Sequence, residues 1–272
     1  MCELFAISSK IPTRVTFSLE EFARHGGLTN HHKDGWGLAF YDGAYAQVFR
    51  EAEPAACSEW MKFLQTHPHQ SRCVISHIRR ATQGNRSLRN TQPFSRELGG
   101  NRHVFCHNGN LLDIAKEVSP QRFAPIGETD SEYAFCYLLG EMEEVWKQGP
   151  GIEQRVEVVK RVFDRLAVLG PANFLYSDGV YLYAYANKRT QANGRIESPG
   201  MYYLCRSCEH DHQAMPLAGV NIQREQSNLN QNIVLFASVP LSSESWIPFE
   251  ANQLLVAKDG RVIRNSEAHH AL

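Results

Sequence analysis

The order of apolar segments along this chain constrains its fold more than any other feature. Strand-like runs occupy residues 3–8, 36–49, 73–79 and 103–107, the second broken by an Asp42-Gly43 hairpin turn. Two long helical patterns come next at roughly 130–148 and 151–168, separated by Gly149-Pro150-Gly151. Strand-like runs then return at 173–186, 200–205, 232–238 and 253–264. Strands, a central pair of helices and strands again predict two sheets with helices outside, within a single domain. Shorter features are a helix over about 54–66 and a helix opened by the capping box Ser18-Leu19-Glu20-Glu21, ending near Gly26-Gly27. Residues 83–101 read as a polar loop, and 206–230 as a long polar excursion.

Composition narrows the function classes. The 272 residues carry a formal net charge of -1, which gives no electrostatic case for nucleic acid or a membrane surface as partner. No run approaches the roughly 18–20 apolar residues of a membrane span, and the first residues lack a signal peptide's basic start. The expectation is a cytoplasmic protein, with homo-oligomerisation left open. Seven scattered cysteines, an odd number, argue against a disulfide framework. Cys205 and Cys208 precede His210 and His212, but structural zinc sites place their second ligand pair much further along. A polar loop is the preferred reading, with a zinc-binding interaction protein as its rival. No metal and no cofactor are expected.

Cys2 becomes the N-terminal residue once Met1 is removed. A thiol of reference pKa about 8.5 and an α-amine of about 7.7–8.0 then share one residue, and proton transfer between them is cheap near neutrality. That is the logic of a self-assisted nucleophile attacking a carbonyl. Four further segments place polar groups at strand or helix ends. His31-His32-Lys33-Asp34-Gly35-Trp36-Gly37 carries glycines that permit close backbone approach. Ser76-His77-Ile78-Arg79-Arg80-Ala81-Thr82-Gln83-Gly84 puts arginine at the end of an apolar strand, where a guanidinium can grip a carboxylate. His107-Asn108-Gly109-Asn110 offers an amide NH2 beside a glycine N–H, two convergent donors suited to an oxyanion. Gly127-Glu128-Thr129-Asp130 opens a helix with carboxylates that cap it or hold a substrate ammonium group.

Taken in order, Cys2, Ser76–Gly84, His107-Asn108-Gly109 and Glu128-Thr129-Asp130 resemble the class II glutamine amidotransferases, the cysteine branch of the N-terminal-nucleophile hydrolases. The absence of room for an acceptor domain makes the chain similar to the short stand-alone members, the YafJ-type proteins and the ergothioneine-pathway γ-glutamyl amidase. The resemblance implies an α+β fold, a four-layer αββα sandwich with two antiparallel sheets between helices, and the domain bounds 2–260 with a tail over 261–272. It implies Cys2 as nucleophile with its α-amine as base, and Asn108 with Gly109 as oxyanion hole. Arg79 would bind the glutamine α-carboxylate with Thr82 beside it, and Asp130 the α-ammonium; His107 and Trp36 complete the substrate-binding set. The implied activity is cleavage of the γ-amide of glutamine or a γ-glutamyl amide through a thioester, with a synthetase as possible ammonia-accepting partner. A non-catalytic glutamine-binding regulatory module stands as the alternative.

Overall fold

Strand pairing begins with the first residues of the chain. A computed structural model describes residues 2–17, 34–55, 58–67, 69–80, 84–120, 122–208, 215–217, 220–223 and 230–266. Strand β1 (Glu3–Phe17) is the centre of a nine-stranded antiparallel sheet. Its neighbours are β14 (Gln231–Ala237) on one side and β4 (Gln70–Ile78) on the other. Beyond β4 lie β2 (Trp36–Asp42) and the edge strand β3 (Tyr45–Glu51); beyond β14 lie β11 (Tyr202–Cys208) and β15 (Ile247–Pro248). The short pair β12 (Met215–Leu217) and β13 (Val220–Gln223) flanks the far half of β1.

The second sheet has six strands, all antiparallel. In spatial order they are β17 (Arg261–Ser266), β16 (Gln253–Lys258), β8 (Leu182–Ala186), β7 (Ala172–Ser177), β6 (Asn101–Gly109) and β5 (Phe94–Leu98). A separate two-stranded ribbon joins β9 (Arg189–Thr190) to β10 (Ile196–Glu197).

Period-two alternation builds three apolar layers from these strands. Leu4 and Ala6 face the space between the sheets, whereas Phe5 and Ile7 face outward. Val104 and Cys106 likewise face inward while Phe105 faces the helices. The layer between the sheets is rich in small side chains, among them Ala6, Ala39, Cys106, Ala184, Ala186 and Ala257. These bring the two backbones close together at one shared core.

Helices cover the outer faces. α3 (Asp130–Trp146) and α4 (Ile152–Ala167) pack on the six-stranded sheet, with Phe135 stacked on Phe105 and Phe163 on Phe174. Each such buried ring contributes on the order of 2–3 kcal/mol from area alone. α1 (Glu59–Thr66) covers the other sheet through Met61 and Leu64. A one-turn helix, α2 (Ile114–Glu117), bridges β6 and α3. The order helix, sheet, sheet, helix is the α+β sandwich expected from the sequence. No helix among the described residues is long and apolar enough to cross a membrane.

Three expectations needed correction. The presumed loop over 83–101 contains strand β5, whose alternation of Phe94 and Leu98 with polar residues is completed only by pairing with β6. β1 runs far past residue 8, because a register shift between Ser8 and Thr13 absorbs the Lys10-Ile11-Pro12 stretch. The presumed tail begins instead with the edge strand β17, so the sheet extends through Ser266. The helix expected over 18–27 lies outside the described residues.

Among the buried polar groups, His103 is packed against Trp146 and bonded through Nδ1 to the Tyr176 hydroxyl at 2.6 Å. Burial lowers its pKa from 6.5 to about 4, so it folds as the neutral imidazole. A depressed imidazole pKa stabilises the fold above pH 6.5, and that stability drains away as pH falls toward 4. The loss is on the order of 3 kcal/mol once both states are protonated. Urea unfolding of wild type and His103→Gln at pH 7 and pH 4.5 should show the shallower pH dependence in the variant.

Candidate active site

Three strand ends meet where the chain begins. The β1–β4 register pairs Glu3 with Ile78, so Cys2 and the outgoing Arg79-Arg80 leave the sheet at the same edge. The Cys2 Sγ accepts the Arg80 backbone N–H at 3.3 Å, and its S–H lies within donating distance of the Arg80 carbonyl, also 3.3 Å. Burial pushes the Cys2 thiol pKa up, opposed by the Arg80 N–H and by the charge of Arg79. From the facing sheet, β6 delivers Asn108. Its amide Nδ2 donates to the Cys2 carbonyl at 2.8 Å and to Ser238 Oγ at 3.3 Å.

Side-chain amides hold Asn108 in place. Gln92 grips the preceding residue twice, its Oε1 accepting the His107 N–H at 2.6 Å and its Nε2 donating to the His107 carbonyl at 3.2 Å. Asn173 on β7 donates to the Asn108 carbonyl at 2.9 Å. Gly109 comes next, at a point where the backbone passes very close to the neighbouring segment. A Cβ there would sit 1.8 Å from the Pro171 carbonyl oxygen, so only glycine fits.

His107 points the opposite way, into the helix layer. Its Nε2 lies 3.3 Å from the Pro171 carbonyl, which can only accept, so Nε2 carries the proton and Nδ1 accepts from Ser131 Oγ at 3.0 Å. Burial lowers the His107 pKa against the pull of Asp130, whose Oδ2 is 4.0 Å from Nδ1. Asp130 occupies the first turn of α3, where the helix dipole favours a carboxylate. Its oxygens accept the Leu111 N–H at 2.8 Å and the Ser131 N–H at 2.9 Å. An unbroken run of contacts therefore leads from Cys2 through the end of β6 to Asp130.

Arg79 is 3% exposed and donates to the carbonyls of Gly84 (3.1 Å), Asn85 and Asp34 (both 3.4 Å). The loop it contacts is tied to the start of α3 by Asn90, which bonds the Asn85 carbonyl and the Glu128 N–H. Guanidinium, loop and helix start are thus one connected wall. Thr82 lies outside the described residues. Trp36 is completely enclosed in the outer core with Phe5 and Ile78, and it presents no surface to a ligand. Gln92, Asn90, Asn173 and Ser238 escaped sequence reasoning. Only the polar cluster Asn90-Thr91-Gln92-Pro93 within the presumed loop hinted at the first two.

Among the described residues no group of three or more His, Cys, Asp or Glu side chains is placed to hold a metal ion. A cleft of about 480 Å³, lined by Ser8, Tyr41, Ser71 and Lys258, lies at the opposite strand ends from Cys2. The chain start thus brings together a thiol, an amide donor bonded to the same residue and, along the adjoining wall, a buried guanidinium and a carboxylate at a helix start.

Comparison with known proteins shows the family. The family model for glutamine amidotransferases class-II matches residues 1–271, and the chain belongs to that family of glutamine-amide hydrolysing and transferring enzymes. The chain is 34% identical over 249 residues to YafJ of Escherichia coli (strain K12), named for glutamine amidotransferase function, covering 90% of this chain and 93% of that one. The crystal structure of a predicted glutamine amidotransferase from Pseudomonas aeruginosa PA01 superposes with a TM-score of 0.73 at 29% identity, covering 97% of this chain and all of that one. The glutamine phosphoribosylpyrophosphate amidotransferase from B. subtilis shares the fold, with a TM-score of 0.55 and 15% identity. This chain spans 49% of that larger enzyme.

The Gln92 clamp carries a direct expectation. Gln92→Ala strands the buried His107 N–H without its acceptor, which should cost about 1–3 kcal/mol in urea unfolding. Gln92→Glu keeps an acceptor for that N–H but turns an oxygen on the His107 carbonyl and buries a carboxylate, so it should cost at least as much.

Proposed function

We propose that this enzyme hydrolyses the γ-amide of glutamine, or of a γ-glutamyl amide, with Cys2 as nucleophile after removal of Met1. The observation that carries the reading is the direct Asn108 Nδ2 bond to Cys2, made beside a sulfur already accepting a backbone N–H. Arg79 and Asp130 clamp the α-carboxylate and α-ammonium of the substrate, which fixes the side-chain carbonyl at the sulfur. For Arg79 this requires exchanging its carbonyl partners for the carboxylate.

The Cys2 thiol gives its proton to the freed α-amine, and the thiolate attacks the γ-carbonyl. Asn108 and the Gly109 N–H stabilise the oxyanion of the tetrahedral intermediate. The α-ammonium then protonates the departing nitrogen, leaving a γ-glutamyl thioester that water converts to glutamate. The released ammonia passes to water or to a synthetase partner. We place the reaction in the cytoplasm.

Intact mass after incubation with 6-diazo-5-oxo-norleucine tests the reading. Loss of Met1 together with one covalent adduct on Cys2 is the expected result; protein that keeps Met1 and takes no label overturns it. Cys2→Ala should abolish turnover. Asn108→Ala should lower kcat by about 10²–10³-fold while glutamine still binds by calorimetry.

A further inference from the structure

Ser238 follows the last residue of β14 and is fully buried. Its N–H donates to the Leu4 carbonyl at 3.0 Å, and its Oγ accepts the Leu4 N–H, also at 3.0 Å. Its carbonyl accepts the Nη1 of the buried Arg189. Ser238 therefore carries the β1–β14 ladder one step past the Phe5–Ala237 pair, with a side-chain oxygen doing the work of a backbone carbonyl. Leu4 lies two positions from Cys2, so this two-point clamp fixes the serine oxygen relative to the backbone of the nucleophile.

The same Oγ accepts Asn108 Nδ2 at 3.3 Å, while that nitrogen also donates to the Cys2 carbonyl at 2.8 Å. A carboxamide NH2 has two hydrogens, and two acceptors take one each. Held by the Cys2 carbonyl alone, the amide could pivot about a single bond. A second acceptor on the same nitrogen fixes the plane of the amide as well as its position. Turning the group over would set its oxygen against the Cys2 carbonyl, which can only accept. An oxyanion must then take over one of the two hydrogens, and the longer bond, to Ser238, is the weaker one and yields.

We propose that Ser238 is a positioning residue for the oxyanion hole: its Oγ sets the plane of the Asn108 carboxamide and holds one of its N–H groups ready for the oxyanion. It acts through Asn108, and the only change at the serine during turnover is an exchange of hydrogen-bond partners. Preorganisation of this kind matters because a donor displaced by 1 Å can cost about 10²-fold in rate. The inference rests on the reading of Asn108 as the oxyanion donor beside a Cys2 nucleophile.

The test compares wild type, Ser238→Ala, Asn108→Ala and the double variant as mature full-length enzymes. Ser238→Ala should lower kcat for glutamine about tenfold with KM nearly unchanged, because the donor loses its orientation while the substrate keeps its clamp. Alkylation of Cys2 by iodoacetamide needs no oxyanion hole and should keep its wild-type rate. In the Asn108→Ala background, loss of the serine oxygen should lower kcat no further. Unchanged kcat in Ser238→Ala overturns the inference. A loss that multiplies with that of Asn108→Ala also overturns it, as does one matched by slower alkylation, since either puts the effect on the start of β1 through Leu4. If Ser238→Ala does not fold, Ser238→Cys, whose sulfur is a weak acceptor, takes its place in the kcat comparison. Full kcat in Asn108→Ala would sink the functional reading instead, and the two failures are thereby told apart.

Discussion

The close approach of the two sheets governs everything else in this molecule. Alanine at six or more positions between them lets the backbones meet, and that approach brings the end of β6 against the start of β1. Only then can the short Asn108 side chain reach the Cys2 carbonyl. A bulkier layer would separate the sheets by more than an asparagine can span. The inner core acts as the spacer that lets Asn108 and Cys2 meet.

Around that contact the protein uses neutral amides as scaffolding. Gln92 grips the His107 backbone on both sides, Asn173 takes the Asn108 carbonyl, and Asn90 ties the Arg79 loop to the start of α3. Buried amides satisfy a donor and an acceptor at once and carry no charge to desolvate. Buried charged groups of this region include Arg79, Asp130, Glu132, Glu3 and Arg189. The neutral His107, locked between Ser131 and Pro171, belongs to the scaffold.

Much of this was legible in the chain. The helices at 130–146 and 152–167 declared themselves through long apolar periods, and the inner strands through alternation. Cys2 stood out because removal of Met1 makes it N-terminal, and Arg79, Asn108, Gly109 and Asp130 because they sit at strand or helix ends. The hidden features have a common cause. β5 and β17 are edge strands of modest apolarity, defined by their neighbours rather than by their own pattern. Gln92, Asn173 and Ser238 are single polar residues with partners up to 234 positions away, a relation no local window reveals. Trp36, placed in the substrate-binding set by the resemblance, has its ring in the core instead.

Ser238 bonds to Leu4 across 234 residues of chain and to Asn108 across 130. Opposite ends of the polypeptide must therefore both be in place before the reactive corner has its full set of walls. A shortened chain still lacking β14 and Ser238 would leave the Leu4 N–H and one N–H of Asn108 without these partners, so this corner closes only when the later strands have joined the first.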